Sequence, residues 1–275
     1  MTDELRTEKT TTERVEFEMQ PQKNTHRVWE VDFLRGVLIL FVVWDHLMFD
    51  VGYLFSFGTK FGKALHEFAR AYETGALRTA MHVYFLIGFV MLSGVSSSFS
   101  KNNWVRGLKM LAFAYGLTAC SILGAKFFGD GTFIIRFNVL HVIGYSILIT
   151  EALKQFRTPK TIRCVLALMI VVVGATFLVQ PADYDGFFYF MVLSTGAEIL
   201  SAGDFLPLFP YLGWFLFGAL LGEKVYPEKR TVFPTLVSKY TKPFEFCGRH
   251  SLAIYFLSQV AAYALLSLLV GLKWL

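Results

Sequence analysis

Seven stretches of this chain are too long and too apolar to settle anywhere but in a bilayer. They run over roughly 33–57, 78–99, 105–125, 133–153, 162–180, 205–223 and 249–271. A hydrocarbon slab about 30 Å thick is crossed by a helix of about 20 mainly apolar residues. Lipid offers backbone amides no partner, so each crossing segment must satisfy its own hydrogen bonds. The expected fold is therefore all-α, a polytopic membrane helix bundle of about seven transmembrane helices. A shorter apolar piece, Phe187–Leu193, reads as re-entrant, interfacial or an extension of the sixth span. The composition agrees: 55% of the 275 residues are hydrophobic and only 17% are charged. Soluble domains carry about 25% charged residues.

The net charge of +5 has a membrane explanation. Lys and Arg gather on alternate loops: Arg27 and Arg35, then Lys101, Arg106 and Lys109, then Lys154, Arg157, Lys160 and Arg163, then Lys224 through Arg249. The fifth loop carries Asp183, Asp185, Glu198 and Asp204 and no basic residue. This is the positive-inside pattern, and it predicts a cytoplasmic amino terminus. Only the first loop, with Lys60, Lys63, Arg70 and Arg78, votes the other way. No basic, aromatic-interleaved soluble segment is present to take a nucleic acid. Residues 1–30 read as a disordered cytoplasmic tail without the apolar core of a signal peptide, and 31–275 as the membrane domain. Cys120, Cys164 and Cys247 are scattered, so neither a disulfide framework nor a metal site is expected. No phosphate-loop, dinucleotide or H-E-x-x-H motif occurs.

Ionisable groups threaded through the first span point to chemistry. At about 100° per residue, with Asp32 as zero, Asp50 returns to about 0°, His46 to about −40° and Arg35 to about −60°. Asp45 falls near −140°, on another face. Such groups are costly in hydrocarbon and face protein or water where they serve a function. His46 lies about 16 Å beyond Arg35, near mid-bilayer if Arg35 marks a surface. A neutral imidazole there offers a lone pair as general base or acyl acceptor, and Asp50 one turn on can orient it. The alternative is a polar stripe that only joins helices, with Asp32 and Arg35 paired at i, i+3.

Three further constellations follow. Asn138 and His141 share a face at the start of the fourth span, as a site or as a packing pair. Asp204, ahead of Pro207 and Pro210, caps the sixth span or contacts substrate. Arg249 and His250 open the last span and together suit an anion such as a phosphate. His82 reads as a packing histidine. The same features would also serve a transporter or permease using the polar stripe as its path, or a membrane scaffold.

Arg35 and His46, with ten residues between them, resemble the R-x10-H signature of transmembrane acyltransferases. The longer pattern is similar to the bacterial relatives of heparan-α-glucosaminide N-acetyltransferase. It comprises Val31-Asp32-Phe33-Leu34-Arg35-Gly36, His46 and Asp50, Ser93 through Ser98, Leu140-His141, Asp204 through Gly213, and Gly248-Arg249-His250-Ser251-Leu252 with Ile254-Tyr255. The chain departs from it at Ser258-Gln259, where relatives carry His-Gln, and at Asn138, where they carry Gly. The resemblance implies an integral protein of the bacterial inner (plasma) membrane that moves an acetyl group from cytoplasmic acetyl-CoA to a sugar amine or hydroxyl on the far side. His46 and Asp50 would be catalytic, and Arg35, Arg249 and His250 would hold the donor. Asp32, Asn138, His141 and Asp204 would meet the acceptor. The expected partners are membrane lipid and a sugar or glycan, with a homo-oligomer left open.

Overall fold

A computed structural model describes residues 28–128, 134–181, 190–193, 205–236 and 238–274. Nine α-helices and no strand occur among them. They are α1 (Trp29–Phe49), α2 (Lys60–Glu73), α3 (Ala76–Ser97), α4 (Asn103–Phe128), α5 (Val139–Gln155), α6 (Lys160–Val179), α7 (Leu208–Val225), α8 (Lys242–Arg249) and α9 (Ser251–Gly271). α1 continues into a π-helical turn, Asp50–Leu54. The expected tail falls almost wholly outside the described residues, as does Asp204; of the short piece Phe187–Leu193, only 190–193 are described.

α1 with its π turn, α3, α4, α6 and α9 are each long and apolar enough to cross a membrane. The other two expected spans are the shorter helices α5 and α7, of 17 and 18 residues. α7 forms the centre, packed by α3, α5 and α6. Its buried residues, among them Tyr211, Leu212, Phe215 and Leu216, join Ile143 and Ile147 of α5 in the main core. Lipid tails are as apolar as leucine, so helices in a membrane associate through close packing and polar contacts. Glycines supply the first: a Cβ on Gly94 would strike the Phe215 carbonyl, and one on Gly218 the Met91 carbonyl. A buried ion cluster supplies the second. Arg163 of α6 donates twice to Glu223 of α7 at 3.0 Å, and Lys154 of α5 adds a third bond at 3.0 Å.

The seven long helices alternate in direction. One end of the bundle collects Arg35, Arg106, Lys154, Arg163 and Arg249, and is here called the basic end. The 8-residue α8 lies across α1 at that end; a Cβ on Gly36 would meet the Phe244 carbonyl, and one on Gly248 the Asp32 carbonyl. Trp29 Nε1 donates to the Phe233 carbonyl at 3.0 Å, and Glu30 accepts from Thr231 Oγ1 and the Val232 amide at 2.6 and 2.7 Å. The proline-rich segment before α8 is thereby tied to the start of α1.

α5 begins inside the protein. Its far end is fixed at the basic end by Glu151, which accepts from Asn103 Nδ2 at 3.0 Å. Val139 is 12 residues earlier, so the helix starts about 18 Å along its axis from that end. Its first amides have no water to turn to and must be capped by protein. Asn138 Oδ1 accepts from the Leu140 amide at 3.1 Å, and His141 Nδ1 accepts from the Asn138 amide at 3.2 Å.

Candidate functional site

Two guanidinium groups meet one serine at the basic end. Arg35 of α1 donates to Ser96 Oγ on α3, and Arg106 of α4 donates to the Ser96 carbonyl at 3.1 Å. Asp32 sits 3.6 Å from Arg35, as its i, i+3 spacing predicts. Both arginines line a cavity of about 180 Å³ whose apolar walls include Phe89, Met110, Leu140 and Ile143. A wider mouth of about 440 Å³ adjoins it, sharing Arg106, Met110 and Leu252 and opening past Asn102 and Lys109. The inner cavity reaches Tyr255 of α9. The Tyr255 ring lies edge-on to the His46 imidazole, with centroids 5.9 Å apart. A basic entrance, an apolar slot and an imidazole behind its wall thus follow one another.

The expected residues divide by position. Arg35 lines the cavity, and His46 stands behind its Tyr255 wall. Asp50 is buried where the α-helix passes into the π turn, and its amide donates to the His46 carbonyl. Arg249 and His250 lie at the α8–α9 junction, immediately before the cavity residues Ser251 and Leu252. Arg249 pairs with Glu245 at 3.6 Å, and His250 Nδ1 is 2.9 Å from the Phe246 carbonyl. Asn138 and His141 are fully buried in the α5 cap, with the His141 ring stacked on Phe137 at 5.1 Å. Their neighbours Val139 and Leu140 face the cavity.

A second polar cluster, on the other half of α1, was absent from the expected site. Asp45 accepts from Arg78 Nε and Nη2 at 2.8 Å each, from Tyr72 at 3.2 Å, and faces His82 Nδ1 at 3.0 Å. Glu73 adds a contact to Arg78 at 3.3 Å. Burial pushes the Glu73 carboxyl above its ordinary value, against the pull of Arg78. The sequence signal was available: Arg78 and His82 are one helical turn apart, a pair that complements a carboxylate on a facing helix. Arg106 had a signal too, since Met110 and Phe113 at i+4 and i+7 mark the inward face it shares.

The profile of one protein family, described as heparan-alpha-glucosaminide N-acetyltransferase, catalytic, matches residues 27–260. The chain belongs to that family. The heparan-α-glucosaminide N-acetyltransferase match takes in α1 through the first half of α9, and with them Arg35, His46, Arg106 and Tyr255. As a member of this family the chain is a transmembrane acetyltransferase. No curated protein and no solved structure matches it.

Proposed function

We propose that this protein transfers an acetyl group from acetyl-CoA, entering at the basic end, to a sugar amine or hydroxyl reached from the opposite face. In this reading the basic end is cytoplasmic, the amino terminus with it, and the membrane is a bacterial plasma membrane. The observation that carries the reading is the continuity of the cavity, from two arginines to the tyrosine that touches His46.

The donor's phosphates suit Arg35 and Arg106, because guanidinium groups make strong, charge-assisted hydrogen bonds to phosphate oxygens. Ser96 and Asp32 fix the two forks in advance, so binding orders little further. Arg249 and His250 shape the entrance. The apolar walls suit an uncharged pantetheine-like arm and exclude water. Acetyl-CoA when bound supplies an acyl group activated as a thioester. His46 serves as base or acyl carrier, and Asp50 supports its protonated form. Asn138, His141 and Asp204 belong to the acceptor side. The acidic residues of the fifth loop favour an amine or neutral sugar over a polyanion.

The test is His46→Ala in purified full-length protein. Acetyl-CoA-dependent transfer is expected to fall at least about 100-fold, the usual contribution of a positioned base. The melting temperature should stay that of the wild type. Turnover that survives the substitution rejects the role of His46.

A further inference from the structure

The Asp45 cluster differs from a helix clamp in the state it imposes on one ring. Asp45 is held by the two-pronged Arg78 contact at 2.8 Å and by Tyr72, an arrangement that keeps it an anion. An ionised carboxylate only accepts hydrogen bonds. The His82 nitrogen 3.0 Å from it, Nδ1, must therefore carry a proton. In the neutral ring the lone pair is then on Nε2, which no described residue engages, and the side chain is 41% exposed. His141 shows the contrast: its Nδ1 lone pair is consumed by the Asn138 amide. An oriented imidazole whose lone pair no described residue takes is the arrangement of a base supported by a carboxylate.

Its position suits the reaction. Phe89 and Ser93, which line the inner cavity, fall at i+7 and i+11 from His82. Those spacings put all three within about 20° of one line along α3, with His82 about 10 Å from Phe89 on the side away from the basic end. Asp45 and His46 are consecutive on α1, so His82 meets α1 at the level of His46, on a face about 100° round the helix.

We propose that His82, oriented by Asp45, is the general base that deprotonates the acceptor. This rests on the acetyl-transfer reading above. The roles left open for His46 then separate: the base toward the acceptor is His82, and His46, against the Tyr255 wall of the cavity, serves the donor side. In the step, the acceptor nitrogen or oxygen bonds to the acetyl carbonyl carbon while its proton passes to His82 Nε2. The thioester carbon–sulfur bond breaks, the electron pair leaves on sulfur, and the proton then goes to the thiolate or to bulk water. Arg78, Tyr72 and Glu73 do not touch the reacting atoms; they position Asp45 directly or through Arg78.

The experiment uses the full chain in nanodiscs and follows thiol release from acetyl-CoA, with glucosamine or with water alone as acceptor. His82→Gln should bind acetyl-CoA within twofold of wild type while kcat falls about 100- to 10,000-fold. Added imidazole should restore part of the rate to His82→Ala. Asp45→Asn should lower kcat with donor affinity retained. A wild-type rate in His82→Gln overturns the proposal and leaves the acetyl-transfer reading intact. So does a loss in His82→Ala that imidazole does not relieve and that tracks a fall in melting temperature, because that is a packing role. Wild-type protein that releases no thiol with either acceptor overturns the donor and acceptor reading itself, and the proposal with it.

Discussion

Arg106→Met separates a binding role for the inner arginine from simple obedience to loop charge bias. Methionine keeps much of the length and apolar bulk and deletes the charge. Arg106 is half-buried, shares Ser96 with Arg35 and belongs to both parts of the cavity. A lost charge-assisted hydrogen bond to a phosphate is worth about 1.5–3 kcal/mol. At 1.4 kcal/mol per decade, acetyl-CoA affinity should weaken about 10- to 150-fold. Lys109 at the exposed mouth is the internal control; a solvated charge contributes about 0.2–1 kcal/mol, so Lys109→Ala should cost about fivefold at most. The melting temperature of Arg106→Met should hold or rise, because the substitution removes one of two neighbouring like charges. Equilibrium titration of acetyl-CoA into the purified protein at low and high salt measures both, with the Arg106 contribution less screened than that of Lys109. Equal losses for the two variants, or wild-type affinity in Arg106→Met, would refute the assignment of the cavity to the donor.

Two other outcomes follow from the packing and the ionisation. Gly36→Ala should destabilise the protein by about 1–3 kcal/mol and weaken donor binding, because the new methyl meets the Phe244 main chain rather than a movable side chain. Gly124→Ala, with open space around its Cβ, should leave thermal melting unchanged or slightly improved. The raised Glu73 pKa means the folded state favours the protonated carboxyl, so its contribution to stability is complete below 4.5 and is lost as the pH rises through the folded value. Melting curves across that interval should show a decline in wild type that Glu73→Gln lacks.

The membrane bundle was plain in the sequence because lipid leaves a chain so few choices, and span length is written directly in apolar runs. The Asp32–Arg35 pair was legible for a related reason, and His46 stood out as a candidate: an ionisable residue inside such a run is conspicuous, and helical angle tells which of them align. Pairing between helices was not legible. Asp45 stood alone at −140° on its own helix, and only the facing turn of α3, with Arg78 and His82, turns it into the most densely bonded carboxylate of that half of α1. Arg106 was hidden for the opposite reason, since the loop rule that predicts orientation also accounts for any arginine near a span end. Asn138 and His141 were correctly seen to share a face, but their reciprocal cap depends on where α5 starts, and apolar length does not disclose depth.

That starting depth has a consequence for transport across the barrier. With α5 beginning about 18 Å from the basic end, a slab of about 30 Å whose surface lies at that end leaves about 12 Å beyond the first residue. In the proposed acetyl transfer neither reactant would have to traverse the hydrocarbon: each would dip in from its own compartment, and a single covalent exchange would bridge the membrane.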